Sequence, residues 1–199
     1  MSGLKIYGVP QSRAFRAYWM ANELGLDYDS EPIHFATGDC KSDSYLEINP
    51  NGRIPAIDDN GLRLFESMAI NLYLARKHGG DLQPKTLEDE ARATQWSFWA
   101  MTEVEKPLLT ALFNLALLPE DQRDAAAADT AVTELQGPLA VLDKALGSSD
   151  YLLGGGFTVA DLNVASVMSW ARMAKIDLSN VPAVDAWLTR CLSRPAAKM

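Results

Sequence analysis

The chain has 199 residues, of which 48% are hydrophobic and 22% are charged, and its net charge is −8. This length fits one large domain or two small ones, with enough apolar residues to build buried cores. The acidic balance, with no basic stripe to offset it, argues against nucleic acid as a partner. No run of about 18 apolar residues is present, so no membrane segment is expected.

The cysteines and the N-terminal residues predict a cytoplasmic location. Cys40 and Cys191 lie far apart and form neither a CxxC pair nor a zinc-ligand spacing. We therefore expect two free thiols in a reducing compartment, and no metal. The first residues lack a basic segment followed by a long apolar stretch, so no secretory signal is expected.

The first 80 residues alternate short apolar runs with helical patterns, in the order βαβ followed by ββα. The predicted elements are a strand at 4–8, a helix at 12–24, a strand at 28–35, a loop at 36–44 with at most one helical turn, a hairpin of strands 54–57 and 62–65, and a helix at 67–78. This order is typical of an α/β domain.

Everything after Asp81 is predicted to be helical. The predicted helices cover residues 87–118 (bent near Pro107), 119–146, 158–175 and 183–193. A polar linker with Gly and Pro at 80–86 separates the two parts. The sequence thus predicts an α/β domain at 1–80 and an all-α domain at 87–199.

Ser12 stands at the predicted junction of the first strand and the first helix. A serine at this position is a good N-cap, which is a purely structural role. The same position would also let its hydroxyl donate a hydrogen bond to a thiolate held near the positive end of the helix. The residue alone leaves both interpretations open.

Pro55 lies at the start of a predicted strand, within the run Asn49-Pro50-Asn51-Gly52-Arg53-Ile54-Pro55. Proline cannot donate to the strand ladder, so an edge or a bend is expected there. If the Ile54–Pro55 bond is cis, Ile54 turns its backbone amide and carbonyl outward. Those two groups could then pair with an extended peptide.

Glu66 and Ser67 stand where the fourth strand gives way to a helix. Ser67 is a suitable N-cap and Glu66 a suitable anion near the first turn. Functionally, a hydroxyl and a carboxylate at a helix N-terminus can receive an amino acid. The hydroxyl would take its carboxylate and Glu66 its ammonium.

Thr158 and Asp161 have the spacing that is typical of a capping box. We interpret this pair as structural, with Asp161 satisfying backbone donors at a buried helix start.

Four segments occur in an order and at distances that resemble the cytosolic glutathione transferases of the bacterial, serine-type kind. The segments are GVPQSRAFRAYW, EINPNGRIPAIDD, FESMAINLYLARK and GGGFTVADLNVAS. The resemblance covers essentially the whole chain. It implies a thioredoxin-like N-terminal domain, an α-helical C-terminal domain, a homodimer and glutathione as co-substrate.

The resemblance also implies roles for individual residues. Ser12 becomes the partner of the glutathione thiolate, and Ile54 with a cis Pro55 becomes the backbone clamp on the glutathione cysteine. Glu66 and Ser67 look like the γ-glutamyl site. Lys41 and Arg53 are candidates for the glycine carboxylate.

Three features of this chain bear on the choice of thiolate partner. Arg13 follows the serine where relatives carry a small residue or proline, and it could strengthen the field at the thiolate or face solvent. Some relatives have a cysteine in place of Ser12. Because this chain has serine there, cysteine-based thiol transfer is disfavoured. Tyr7 is a rival hydroxyl, although a core position in the strand is the simpler interpretation.

The electrophile pocket is expected on the first long helix of the second domain, where Phe98, Trp99 and Thr102 are candidates. His34 and His78 are expected to be ordinary surface residues. The predicted activity is transfer of glutathione to a hydrophobic electrophile. A glutathione-dependent reductase or peroxidase, and a non-catalytic binding module of the same fold, remain alternatives.

Overall fold

The computed structural model describes residues 3–147 and 149–198. These residues form two compact units. The first unit contains residues 3–83 together with 195–198, and the second contains the described residues between 84 and 194.

A four-stranded mixed sheet forms the centre of the first unit, in the order β2-β1-β3-β4. Strand β1 pairs in parallel with β2 and antiparallel with β3, which pairs antiparallel with β4. The strands are β1 at Leu4–Tyr7, β2 at Asp29–Glu31, β3 at Ala56–Asp59 and β4 at Leu62–Phe65. The βαβ-ββα order confirms the predicted thioredoxin-like fold of this unit.

Three α-helices belong to the first unit: α1 at Phe15–Glu23, α2 at Asp43–Leu46 and α3 at Ser67–His78. Helices α1 and α3 pack against each other. The middle of α1 is buried on all sides, including Trp19 and Met20. A 3₁₀ turn at Pro195–Ala197 also contacts α1, so both ends of the chain contribute to this unit.

Three predicted strands have different bounds in the structure, and the smallest change is in β1, which ends at Tyr7 instead of residue 8. Strand β2 covers only Asp29–Glu31 instead of 28–35, because Pro32 has no amide hydrogen to continue the ladder. The chain turns at once, and the Ile33 amide bonds the Glu31 carbonyl at 2.8 Å. Strand β3 begins at Ala56 instead of Ile54, directly after a cis Ile54–Pro55 bond, and extends to Asp59.

The second unit is helical, as predicted. Its α-helices are α4 at Leu87–Trp99, α5 at Glu105–Leu112, α6 at Ala125–Leu146, α7 at Val159–Met173 and α8 at Pro182–Leu192. Helix α6 begins at Ala125 instead of residue 119, because Asp124 caps it by accepting from the Ala127 amide at 2.9 Å.

Near Pro107, where the sequence predicts a bend, the structure has a π-helical turn at Ala100–Val104, between α4 and α5. The Glu105 amide bonds the Ala100 carbonyl, five residues earlier. Proline at 107 lacks a donor and crowds the preceding turn, and a wider turn relieves that conflict. A second π-helical turn, Phe113–Leu117, ends the segment.

Helix α7 lies at the centre of the second unit, with Val159 to Met168 buried throughout. The predicted capping box is present: the Thr158 amide donates to Asp161 Oδ2 at 3.0 Å, and the Thr158 hydroxyl caps the first turn, where it accepts from the Ala160 amide at 3.3 Å. Asp161 is fully buried and also accepts from the Leu152 amide at 2.8 Å and the Trp187 indole at 2.9 Å. The structural interpretation of this carboxylate is confirmed.

In the described parts of the chain, the helices are all too short or too polar to cross a membrane. Nor do three or more His, Cys, Asp or Glu side chains gather there in a group able to hold a metal ion.

Candidate active site

Three loops leave the sheet of the first unit at the same end. Tyr7, Ala56 and Phe65 are paired side by side across β1, β3 and β4. The residues just outside these pairs are therefore Gly8, Pro55 and Glu66. The candidate residues Ser12, Ile54, Glu66 and Ser67, which are far apart in sequence, all lie on or next to these loops.

The loop after β1 approaches the Ile54 segment closely. Gly8 has φ +128, and a Cβ there would lie 2.8 Å from Ala14 Cβ and 3.1 Å from Ile54 Cβ. Because any side chain would collide with both neighbours, the position requires glycine. The Tyr18 hydroxyl donates to the Gly8 carbonyl at 2.8 Å and fixes the start of the loop.

Ser12 lies in a turn before α1 and not at its N-cap. The helix begins at Phe15 with Ala14 as N-cap, so the predicted start at residue 12 is wrong by three residues. The Ser12 hydroxyl donates to the Val9 carbonyl at 2.6 Å and accepts from the Ala14 amide at 3.1 Å. These two bonds stabilise a local turn around Ser12, and α1 therefore begins only after this turn, at Phe15. Both Ser12 and the following Arg13 are half-buried.

Tyr7 is half-buried and packs against the core of the first unit. Its ring lies 6.0 Å from that of Tyr45, against a buried cluster that includes Cys40, Ile54 and Ala56. Burial raises the pKa of the Tyr7 hydroxyl above its ordinary value. The position agrees with the simpler interpretation of Tyr7 as a strand aromatic.

The segment before Pro55 is held by hydrogen bonds to one carbonyl group. The Arg53 carbonyl accepts from the Tyr45 hydroxyl at 2.7 Å and from the Asn49 side chain at 2.6 Å. Ile54 follows directly, and the Ile54–Pro55 bond is cis. Among residues 3–147 and 149–198, no hydrogen bond involves the Ile54 amide or carbonyl.

Two exposed cationic side chains flank Gly52. Lys41 donates to the Asn51 carbonyl at 3.3 Å, and the exposed Arg53 follows Gly52 in the chain. Gly52 has φ +57, and a Cβ there would lie 2.6 Å from Lys41 Nζ and 2.7 Å from the Cys40 carbonyl. Glycine at this position therefore lets the Lys41 ammonium lie against the loop that leads to Ile54.

Glu66 is the N-cap residue of α3, and Ser67 is its first helical residue. The prediction of Ser67 as N-cap and Glu66 as a nearby anion is therefore wrong by one residue. Glu66 has φ 71 and ψ 107, a conformation that is unfavourable for any residue with a Cβ. Its side chain is exposed and makes no capping bond.

Ser67 is buried and accepts a hydrogen bond from an arginine that the sequence pattern does not indicate as a site residue. Arg16 is only 1% exposed, and its Nη1 donates to Ser67 Oγ at 3.2 Å. The Asn71 side chain donates to the Arg16 carbonyl at 3.2 Å. The only sequence signal is an arginine among the mostly apolar residues of α1, and it does not indicate a partner on α3.

The electrophile-pocket candidates lie at the C-terminal end of α4 and in the π-helical turn after it. Phe98 is 68% exposed, which is unusual for a side chain of its size. Trp99 is half-buried and stacks edge-on against Trp96 at 5.0 Å. Thr102 is exposed within the π-helical turn.

Comparison with known proteins identifies the family. The glutathione S-transferase N-terminal domain matches residues 2–76, and the glutathione S-transferase C-terminal domain matches residues 106–195. The chain belongs to the glutathione S-transferase family.

Glutathione S-transferases from plants and bacteria resemble it over nearly their whole length. Glutathione S-transferase 3 of Zea mays is 35% identical over 98% of this chain and 92% of its own. A theta class glutathione S-transferase from Xanthomonas axonopodis, solved with glutathione bound, has a TM-score of 0.92 and 32% identity, covering 100% and 96% of the two chains. A glutathione S-transferase-I solved with lactoylglutathione has a TM-score of 0.87 and 33% identity, covering 98% and 96%.

Proposed function

We propose that this glutathione S-transferase joins the thiol of glutathione to an electrophilic carbon of a small hydrophobic molecule. The observation that carries the proposal is the meeting of three loops at one end of the sheet, one with a hydroxyl, one with an unengaged peptide backbone and one with a carboxylate and a hydroxyl. Glutathione offers a matching group for each loop. Its thiol suits the hydroxyl, the backbone of its cysteine suits the peptide groups, and its γ-glutamyl ammonium and carboxylate suit the carboxylate and hydroxyl of the third loop.

In this proposal the γ-glutamyl group binds at the start of α3. Ser67 and the first backbone amides of the helix take its carboxylate, because helix N-termini favour anions. Glu66 takes its ammonium, and its exposed side chain is free to do so. The unfavourable backbone of Glu66 supports a functional role, since such conformations cluster at ligand sites.

The cysteine and glycine of glutathione bind along the other two loops. The Ile54 amide and carbonyl pair with the cysteine as an added strand pairs with a sheet edge. Lys41 and Arg53 take the glycine carboxylate. Their local cationic groups are needed because the overall charge of −8 does not attract an anion.

Ser12 activates the thiol by donating a hydrogen bond to the thiolate, with Arg13 adding positive potential. Lowering a thiol pKa by about two units from about 8.5 requires roughly 2.7 kcal/mol of preferential thiolate stabilisation. A hydrogen bond to a charged acceptor contributes about 1.5–3 kcal/mol, from which the lost Ser12–Val9 bond must be subtracted, so Ser12 supplies part of this stabilisation and Arg13 adds to it. The thiolate sulfur then forms a bond to the electrophilic carbon, and the displaced electron pair leaves with the leaving group or moves into the acceptor.

The second domain supplies the electrophile site through Phe98, Trp99 and Thr102. An exposed aromatic side chain beside a hydroxyl suits a mostly apolar ligand with one polar group. The proposal includes a cytoplasmic homodimer that detoxifies such compounds, which the family resemblance implies.

Calorimetry with the double variant Glu66→Ala, Ser67→Ala tests the placement of glutathione. We expect its dissociation constant to rise at least tenfold, which corresponds to about 1.4 kcal/mol. The matched control is Asp43→Ala with Ser44→Ala, an exposed acid and serine on α2. Unchanged affinity in the first variant contradicts the placement. Activity toward a panel of electrophiles, hydroperoxides and disulfides distinguishes the transferase from a reductase or peroxidase.

A further inference from the structure

Arg16 carries a positive charge inside the first unit, directly beside Ser67 of the candidate site. Its side chain is on α1, its exposure is 1%, and its Nη1 lies 3.2 Å from Ser67 Oγ on α3. A guanidinium remains charged at all physiological pH values, and burying it is costly unless its hydrogen bonds are satisfied. One of its hydrogen bonds goes to Ser67, so a buried positive charge lies next to the proposed site of the γ-glutamyl carboxylate.

The direction of the Arg16–Ser67 hydrogen bond follows from the chemistry of the two groups. A guanidinium has only donors, so Ser67 Oγ must accept. The hydroxyl keeps its own hydrogen, which it can donate elsewhere. Accepting from a cation also polarises the hydroxyl and makes it a stronger donor. A Ser67 held in this way is suited to an anionic acceptor.

Asn71 fixes Arg16 from the same face of α3. It lies four residues after Ser67, so the two side chains are neighbours on the helix. Its Nδ2 donates to the Arg16 carbonyl at 3.2 Å, and both residues are fully buried. Arg16 is thus held by its backbone and by its side chain, which limits the positions that Ser67 Oγ can take.

We propose that Arg16 is a positioning residue for the α-carboxylate of the γ-glutamyl group, acting through the Ser67 hydroxyl. This inference rests on the proposed function. A carboxylate bonded to Ser67 lies two hydrogen bonds from the guanidinium, roughly 6 Å away. At that distance an opposite charge still favours the ionised ligand. The carboxylate therefore interacts both with an oriented hydroxyl and with a fixed buried cation.

Three tripeptides separate this role from a merely structural one. Glutathione has the carboxylate and the ammonium, glutaryl-Cys-Gly lacks only the ammonium, and 4-aminobutyryl-Cys-Gly lacks only the carboxylate. In Arg16→Met we expect the dissociation constants of the first two to rise about tenfold, as for loss of an opposite charge. The affinity for 4-aminobutyryl-Cys-Gly should stay within about twofold of the parent value.

Two further variants keep the test decisive. Arg16→Lys keeps the charge, and it should recover part of the affinity for the two ligands with a carboxylate while leaving the third unchanged. This variant carries the test alone if Arg16→Met does not fold. In a Ser67→Ala background, Arg16→Met should weaken glutathione binding much less than tenfold, because the two residues act as one unit.

The results distinguish this inference from the proposed function. If the parent chain does not bind glutathione, both are overturned. If the parent binds glutathione and the Arg16 variants bind it equally well, only the role of Arg16 is overturned. An equal loss for all three tripeptides also overturns it, because a disturbed fold does not discriminate between ligands by their carboxylate.

Discussion

The Ser12 hydroxyl oxygen lies 2.6 Å from the Val9 carbonyl oxygen, to which it donates its only hydrogen. Donation to a thiolate therefore requires the O–H bond to rotate away from Val9. The second bond of Ser12, accepted from the Ala14 amide at 3.1 Å, can persist during this rotation. The free energy gained from the hydrogen bond to the thiolate is therefore reduced by the loss of the hydrogen bond to the Val9 carbonyl.

Ser12→Ala should raise the pKa of bound glutathione by about one unit. This corresponds to about 1.4 kcal/mol, near the lower end of the range for a hydrogen bond to a charged group. The rate at neutral pH should fall about tenfold, while the dissociation constant for glutathione changes little. Thiolate absorbance of the complex against pH measures the effect.

Tyr7→Phe is the matched control, because it removes the rival hydroxyl and keeps the ring. Because the ring packs against the buried cluster around Ile54, we expect an unchanged titration curve. A shift in Tyr7→Phe together with none in Ser12→Ala would mean that the tyrosine holds the thiolate. If neither variant shifts the curve, a hydroxyl does not activate the thiol.

Glu66→Gly should give a more stable protein than Glu66→Ala. The backbone at Glu66 has φ 71 and ψ 107, which costs about 1–3 kcal/mol for a residue with a Cβ. Glycine relieves this cost but loses more entropy on folding, by roughly 0.5–1 kcal/mol. We expect a net difference of about 1 kcal/mol in the free energy of unfolding, measured by urea denaturation. Equal midpoints would show that the conformation is not strained.

Both Glu66 variants should bind glutathione more weakly than the parent, and to a similar extent. Both lack the carboxylate that binds the γ-glutamyl ammonium in the proposed site, and this loss does not depend on the backbone conformation at residue 66. Calorimetry under one set of conditions compares them. A large difference between Gly and Ala would mean that backbone geometry, and not the carboxylate, determines affinity.

Asp59 should make the stability of the chain sensitive to acid. Burial alone raises the pKa of this carboxyl, but hydrogen bonds from Lys77, Tyr73 and Asn60 outweigh it and hold the pKa below its usual value. A lowered folded-state pKa contributes stability above the unfolded value, near 3.9, and loses it as the pH falls through the folded value. The parent should therefore lose this contribution below about pH 4.

Asp59→Asn tests this contribution. It should lower the free energy of unfolding by about 1–2 kcal/mol at pH 7, and by less at pH 3, where the parent has lost its own advantage. Glu31→Gln is the control, because Glu31 pairs with Lys5 at 3.4 Å on the surface, where such pairs contribute about 0–1 kcal/mol. A constant difference between Asp59→Asn and the parent from pH 7 to pH 3 contradicts the expectation.

Asp161→Ala should destabilise the second unit by at least about 2 kcal/mol. It leaves the Leu152 and Thr158 amides and the Trp187 indole without their acceptor in a buried site, and each such group costs about 1–3 kcal/mol. Asp124→Ala removes an exposed N-cap and should cost only about 1 kcal/mol. Equal losses in chemical denaturation would show that burial of the network adds nothing.

Segments whose boundaries are determined by local chemistry could be predicted from the sequence. Strand β4 and helix α3 have the predicted bounds, because an Asn-Gly turn precedes the first and glycines follow the second. The start of α1 was wrong since Ser12 can close a turn as readily as it can cap a helix. The residue types alone do not determine which of these two sets of hydrogen bonds Ser12 makes.

The residues of the candidate site could be named from the sequence, but their arrangement could not. The motif around Ile54 and the Glu66-Ser67 pair lie on loops that the sheet brings to one end, whereas the residue types do not indicate the positive φ of Glu66. Arg16 was missed because its partner Ser67 is 51 residues away. Long-range pairs of this kind depend on the packing of α1 against α3, which periodicity does not specify.

The contact between α1 and the 3₁₀ turn at Pro195–Ala197 has a consequence for biosynthesis. The ribosome completes residue 83 more than a hundred residues before it reaches this turn. The surface of α1 that the turn covers must stay open while the entire helical unit is being made. The first unit is thus completed last, and a fragment ending at residue 83 lacks the 3₁₀ turn that belongs to this unit.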